Sequence, residues 1–384
     1  MDRPVIKPRL KNSHPVYRSS NGDLAIGEVG PSAYFVPDAP SGFVGLIQML
    51  DGTRTTQRLE RDMEVTHNIP RAETRQVLQQ LSEANLLVDE AERSDLLSNA
   101  EIERYDRQMI QFEALEESGQ PGFSYQEKLK RTRACILGMG GWGTWNSLLL
   151  GLVGIGSVRL VDADYVEHSN LNRQVLYRND SIGRQKVAAA ADELKRVNPH
   201  VNVETMDEFI EIDEEQIRRA VTDCQLVVLC WANQSAFVKE TAEVLIHQVC
   251  AELGIPLIEL AGDPFDVGVG PLYDYSQETH LDLGKIQERE RATWWGGDNP
   301  MLTTFRKESV HARPIRSVNA WQSAPSLSIV AGMAANEIMR LITGYAPTKL
   351  TTGKIQMSLA DYQTEFVDYS DCLVSSNSGI ADPQ

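Results

Sequence analysis

What the 384-residue sequence has little of narrows its function first. Cysteine is sparse and odd in number, at 135, 224, 230, 250 and 372, and no CxxC pair occurs. A disulfide framework and a thiolate zinc site are therefore not expected, and the scatter suits a reducing cytoplasm. Basic charge is short as well: 37 Lys and Arg face 54 Asp and Glu, a formal net charge of -17. Binding a phosphate backbone needs a basic face, so nucleic acid is not an expected partner, and neither is an anionic membrane surface. No apolar run reaches the ~18 residues of a membrane span. The opening MDRPVIKPRLKNSHPVYR has no apolar core of a secretory signal.

What is present fits an ordinary soluble globular protein. Hydrophobic residues make up 42% and charged residues 24% of the chain, and at about 150 residues per domain the length allows two or three domains. Three regions are distinguishable. Residues 1–92 read as a small α+β unit. HPVYR and DLAIGEV form short strands around the Ser19–Asp23 turn, and AYFVPD is another extended piece. Helices are expected over 42–50, 55–65 and 72–85, the last with Val77, Leu78, Leu81 and Ala84 on one face, and Leu86-Leu87-Val88 starts a strand. This order suggests a winged-helix-like domain without the Lys and Arg cluster of a DNA-reading wing. Residues 93–128 read as a polar helical linker broken at Gly119-Gln120-Pro121-Gly122.

From 129 to 384 the rhythm changes. Strands are expected at 134–137, 157–161, 226–230 and 256–260. Helices are expected at 142–152, 184–197, 235–253 and 325–343. Alternation of this kind implies a doubly wound, mostly parallel, Rossmann-like α/β sheet. The stretch from about 271 to 320 reads as irregular.

The strongest motif is Gly138-Met139-Gly140-Gly141-Trp142-Gly143, a GxGxxG between an apolar strand and a helix, with Asp162 at the end of the next strand. Gly138 suits the tight turn, Gly140 and Gly141 let backbone approach a phosphate, and Gly143 lets the helix sit close to the sheet. The helix N-terminus offers free N–H groups to an anion, and Asp162 can accept from ribose hydroxyls. No Walker GxxxxGK[ST] occurs. Beyond Asp162 the chain adds Asp164, Asn170, Arg173 and Gln174, and then Lys186. Those cations suit a triphosphate better than a nicotinamide dinucleotide. Taken singly, Arg173 and Lys186 read as solvated surface cations; their combined spacing favours the site.

Arg104-Tyr105-Asp106-Arg107-Gln108, the Gly138 loop, the 162–174 run and Gly183-Arg184-Gln185-Lys186 together resemble the ubiquitin-activating-enzyme-like ATP-binding family, which includes the ThiF, MoeB and HesA adenylyltransferases. The resemblance covers roughly 101–350. It implies ATP-dependent adenylation of a carboxylate, with Asp162 on ribose, Asn170 and Arg173 on phosphates and Lys186 on the transferring charge. It also implies a homodimer in which Arg107 reaches the triphosphate held by its partner.

Three departures bear on that reading. The family's magnesium-binding Asp is replaced by Cys230-Trp231-Ala232-Asn233-Gln234, which leaves Asn233 as the nearest oxygen donor and Asp164 as a weak compensating Mg2+ ligand. The two CxxC pairs that hold zinc in many members are missing. No cysteine lies between Cys250 and Cys372 to form a thioester, and Cys250 reads as a buried small hydrophobe. Residues 1–92 are similar to the leader-recognition domains of ribosomal-peptide maturases, and their pairing with an adenylyltransferase resembles the enzymes that mature microcin C and pantocin. The expected function is thus adenylation of a carboxylate or amide in a precursor peptide whose leader is bound by the N-terminal domain. Two other readings stand beside it: a non-catalytic leader-binding partner with a degenerate nucleotide site, and an activator of a ubiquitin-like sulfur carrier. Trp294 and Trp295 serve either a mobile loop over the peptide or an anchor for it. His280 and His311 are acid–base candidates by location only, with a structural role favoured for each.

Overall fold

A computed structural model describes residues 5–27, 33–115, 119–230, 241–262, 266–295 and 322–375. The chain divides into two compact units, Met1–Lys128 with Thr343–Ala346, and Leu129–Ile342 with Pro347–Gln384.

The first unit contains β1 (Pro8–Leu10), β2 (Val16–Arg18), β3 (Leu24–Ile26), β4 (Tyr34–Val36), α1 (Ser41–Met49), α2 (Thr56–His67), α3 (Arg71–Glu83), β5 (Leu87–Asp89), α4 (Asn99–Leu115) and the start of α5 (Gly122–Arg131). Strand β1 pairs antiparallel with β5, and a separate antiparallel sheet runs β2-β3-β4. Helix α2 starts where the Thr55 side chain accepts the Arg58 N–H, and it stops at Asn68 in the left-handed region. Leu24, Ile26, Leu46, Leu59, Met63 and Leu81 close one core. Ser98 and Glu101 form a capping box at the start of α4, each side chain accepting the other's backbone N–H. The segment read as a polar linker also carries a buried stripe of its own. Tyr105, Met109 and Phe112 are buried, and the Phe112 ring lies 5.7 Å from Tyr125 and 5.0 Å from Tyr345.

The second unit contains β6 (Arg133–Leu137), α6 (Gly141–Leu152), β7 (Ser157–Val161), α7 (Lys186–Val197), β8 (Asn202–Met206), α8 (Glu214–Val221), β9 (Leu226–Leu229), α9 (Ala242–Leu253), β10 (Leu257–Gly262), β11 (Asp266–Tyr273), β12 (Thr279–Leu281), α10 (Leu283–Trp295), α11 (Ala324–Thr343), β13 (Gly353–Ser358), β14 (Thr364–Asp368) and β15 (Leu373–Ser375). One eight-stranded sheet runs β14-β13-β11-β10-β9-β6-β7-β8. Its β10-β9-β6-β7-β8 half is parallel and its β14-β13-β11 half antiparallel. Residues alternate between faces along each strand. Ile136, Leu160 and Val228 therefore meet α6, α7 and α11 on one face, while Leu137, Val161 and Leu229 meet α8 and α9 on the other.

The fold is the Rossmann-like sheet with a small N-terminal β+α unit that the sequence implied. The sheet is more mixed than the pattern suggested, and the part of 271–320 read as irregular carries β12 and α10. Among the described residues no helix is long and apolar enough to cross a membrane.

Candidate active site

The glycine turn sits at the C-terminal end of β6, beside the end of β7. Gly138 takes φ +92°, a region that favours glycine, and its N–H donates to Val161 O at 2.9 Å. A Cβ on Gly143 would lie 1.8 Å from Gly138 O, so only glycine lets α6 approach the strand this closely. A Cβ on Gly140 would meet nothing within 4 Å, which leaves open space beside the backbone at the helix start. A Cβ on Gly141 would strike Leu327 at 2.5 Å, so this glycine serves packing against α11. No side chain caps α6, whose first N–H groups remain available to an anion.

Asp162 follows β7 and ties this turn together. Its Oδ2 accepts the Met139 N–H at 2.6 Å and its Oδ1 accepts the Asp164 N–H at 2.8 Å. Lys186 reaches the same place from the first position of α7. The intervening chain doubles back: Val166 N–H donates to Arg184 O and Gly183 N–H to Val166 O, both at 2.8 Å, and Lys186 N–H donates to Asp164 O at 2.9 Å. Lys186 Nζ then lies 2.7 Å from Asp164 Oδ2 and 4.0 Å from Asp162 Oδ2, with its side chain 8% exposed. Twenty-two residues of separation are thus folded into one ion pair. A cavity of about 350 Å³ opens here, lined by Gly138, Asp162, Asp164, Glu208, Phe209 and Ile210 among others.

The 167–174 turn lies on the same strand–helix junction but does not line that cavity. Asn170 is buried, and its Oδ1 accepts the Glu167 N–H at 2.9 Å as a local cap. Arg173 donates to Ser169 O at 2.8 Å and to Asn172 Oδ1 at 3.1 Å. Gln174 is buried and its Oε1 has no protein partner. Two residues that sequence reasoning passed over hold the turn. Trp145 Nε1 donates to Arg173 O at 3.1 Å, and Tyr177 OH donates to Met139 O at 2.8 Å. Burial, and then the nearby Asp162 and Asp164 charges, push the Tyr177 hydroxyl pKa well above its ordinary value. The Glu208–Ile210 segment was also passed over; Phe209, 61% exposed beside a cavity, shows no strand or helix period that would flag it.

Other candidates fall elsewhere. Arg107 sits on α4 with a 92% exposed side chain, 3.6 Å from Asp106. His280 Nδ1 meets Leu281 O at 3.0 Å and its ring packs on Tyr275, a structural setting. Asn233 and His311 lie outside the described residues, as do the side chains of Trp294 and Trp295. Cys250 is fully buried and its thiol is pushed up to about 12 by burial, as befits a small apolar filler. Asp164 already gives one carboxylate oxygen to Lys186. Among the described residues no group of three or more His, Cys, Asp or Glu is placed to hold a metal ion.

The sequence profile of the ThiF family matches residues 105–374, the whole of the nucleotide-binding unit's sheet included. The chain belongs to the ThiF family. It is 34% identical over 191 residues to the molybdopterin-synthase adenylyltransferase of Haemophilus influenzae, spanning 50% of this chain and 72% of that one. The Escherichia coli adenylyltransferase of the same name is 27% identical over 68% of this chain and 89% of its own length. Among solved structures, PaaA superposes with a TM-score of 0.77 at 36% identity, covering 94% of this chain and 99% of PaaA. E. coli MccB, solved with ATP, shares the fold at TM-score 0.65 and 20% identity, covering 94% and 96% of the two chains. The matched stretch contains the glycine turn, Asp162 and Lys186.

Proposed function

We propose that this ThiF-family chain adenylates a carboxylate or amide of a ribosomally made precursor peptide, in the cytoplasm, as one step of peptide natural-product maturation. The observation that carries the reading is one site and one likeness together: Lys186 and Asp162 meet at the glycine turn, and PaaA matches over 94% of the chain, the N-terminal unit included. MccB adds support, as a microcin C7 biosynthetic enzyme solved with N-formylated MccA.

The residues fit ATP. The open backbone at Gly140 and the uncapped α6 N-terminus suit its phosphates. Asp162 keeps lone pairs for ribose hydroxyls beyond the two N–H groups it accepts. The cavity walled by Phe209 and Ile210 suits a flat base. ATP supplies the adenylyl group: a substrate carboxylate oxygen bonds to the α-phosphorus and pyrophosphate leaves. Lys186 leaves Asp164 for the phosphates and neutralises the charge that builds there. Asn170 and Arg173 would contact the same phosphates, Gln174 and Asn233 are further candidates to contact ATP, and Arg107 of one protomer serves the site of its partner in a homodimer. Asp164 would hold a magnesium ion bound with the triphosphate, and the ion would help to offset the phosphate charge. Zinc, nucleic acid and membrane have no part in the reading.

The test is ATP–pyrophosphate exchange with the purified full-length protein and a candidate precursor peptide encoded near its gene. Exchange should require the peptide and vanish in Lys186→Ala and Arg173→Ala. Exchange that proceeds equally without peptide would remove the peptide from the scheme, and absence of ATP binding would remove the enzyme.

A further inference from the structure

The break at Gly119-Gln120-Pro121-Gly122, which the sequence shows only as an interruption of a polar linker, builds a site of its own in the first unit. A Cβ on Gly122 would lie 2.4 Å from Met109 O, so only glycine lets the start of α5 come this close to α4. That approach lets the Gly122 N–H donate to Glu113 Oε1 at 3.2 Å. Arg9 Nη2 lies 3.5 Å from the same oxygen. The other oxygen, Oε2, is buried and has no protein partner, and Glu113 as a whole is 5% exposed. A carboxylate buried with an unmet oxygen is costly until a donor or a proton completes it. Burial, the largest influence on the Glu113 carboxyl pKa, pushes it up with help from Glu90, against Arg9, Lys11 and the Gly122 N–H.

Glu113 lines a cavity of about 190 Å³ walled from β1, β5, α4 and α5. Its charge is one-sided: Asp89, Glu90, Glu92, Asp106 and Glu113 line it against Arg9 and Arg93. Both guanidiniums are paired with Glu90, Arg9 at 2.5 Å and Arg93 at 3.1 Å. Asp89 is filled by the backbone N–H groups of Ile6, Lys7 and Ala91. Asp106, two turns before Glu113 on the same face of α4, keeps a half-exposed side chain. The rest of the wall is largely apolar, with Val88, Ile102, Met109, Ile110 and Phe123.

We propose that this cavity binds a guanidinium group carried on a short apolar stem, with Glu113 Oε2 accepting its N–H donors and Asp106 meeting its charge at the open side. The excess of carboxylates selects a cation. The unmet oxygen calls for an N–H donor, which a quaternary ammonium lacks. The apolar walls, Phe123 among them, suit methylenes and the flat face of a guanidinium. A divalent metal ion is not favoured, because among the described residues no three His, Cys, Asp or Glu are grouped to hold one. The proposal is independent of the adenylation reading.

Calorimetric titration of the full-length protein with methylguanidinium, at millimolar concentrations far below the denaturing range, tests it. Methylguanidinium should bind saturably, and tetramethylammonium, which has the charge but no N–H, should not. Glu113→Gln should weaken binding about tenfold and Asp106→Asn about threefold. Binding needs the ionised carboxyl, so affinity should rise with pH through the acid range, and titrations in two buffers of different ionisation enthalpy should detect a released proton there. That readout uses the wild-type protein alone and does not depend on a variant's folding. An end-blocked tripeptide with a central arginine distinguishes the sources of the group. Binding as tight as methylguanidinium's supports a side chain of another polypeptide, and loss of binding supports a free small molecule; both retain the site. No saturable binding, equal binding of tetramethylammonium, or an affinity that neither Glu113→Gln nor acid changes would each overturn the proposal.

Discussion

The two units solve opposite problems with the same β-strand. In the second, β6 and β9 lie in mid-sheet with both faces covered, and Ala134, Ile136, Leu226 and Val228 are fully buried. In the first, β2 is three residues long, exposed at every position, and paired along one side. A strand buried on both sides is rigid, and its C-terminal end can hold a phosphate-sized turn in one shape. A strand with a free edge keeps unpaired N–H and C=O groups and so is able to accept another chain. Under the proposed function, chemistry belongs to the closed sheet and recognition to the open one.

The largest effect expected on this division is Lys186→Ala, which should cut ATP–pyrophosphate exchange by ~100-fold or more, about 3 kcal/mol of transition-state stabilisation. Mixing Lys186→Ala with Arg107→Ala sharpens the test. If Arg107 acts across a dimer, an equal mixture should recover about a quarter of wild-type exchange, since half the dimers are mixed and each has one complete site. No recovery after subunit exchange would confine Arg107 to its own protomer or to none.

Leu59→Ala in the first unit should cost about 2–5 kcal/mol of that unit's stability, because Leu59 is fully buried. ATP affinity measured by calorimetry should stay within about twofold of wild type. A large loss of ATP affinity would break the separation of roles. Gly143→Ala does the converse. Its new methyl strikes the Gly138 carbonyl, so about 1–3 kcal/mol of overpacking is expected, together with weaker ATP binding and intact peptide binding.

The smallest effect belongs to a surface pair. Arg75, 66% exposed, hydrogen-bonds buried Glu60 at 2.8 Å and holds its carboxyl pKa below the ordinary range. The folded-state pKa is depressed, so the stabilisation is present above the unfolded carboxyl pKa of about 4.3 and is lost as pH falls through the lower folded value. Arg75→Gln should therefore lower stability only slightly at neutral pH, read as a small fall in the urea midpoint. Its denaturation curve should converge with wild type in acid; a gap that widens there would reverse the sign of the argument.

Much of the closed sheet was legible because its signals are local. ACIL and LVVL are continuous apolar runs bounded by turns, as strands buried on both faces must be, and SVRLV is apolar but for Ser157 and Arg159. The glycine turn was legible for a related reason: φ +92° at Gly138 and the close approach at Gly143 each admit one residue type. The antiparallel half was not. β11 pairs with β13 across more than 80 residues, and nothing in the sequence of either announces the other. α10 was hidden by its composition, since LGKIQERERATWW has no clear apolar face. At the site, Asp162 and Lys186 were found through spacing. Tyr177 and Trp145 were missed, because each acts through one hydrogen bond to backbone and carries no pattern of its own.

One of these missed residues sets what a pH profile of this protein can report. Tyr177 is buried beside two carboxylates and keeps its proton far into alkali, so its bond to the Met139 carbonyl survives across any working pH. The glycine turn is pinned by a donor that does not titrate. A change in the rate of exchange in mild alkali therefore does not come from this hydroxyl.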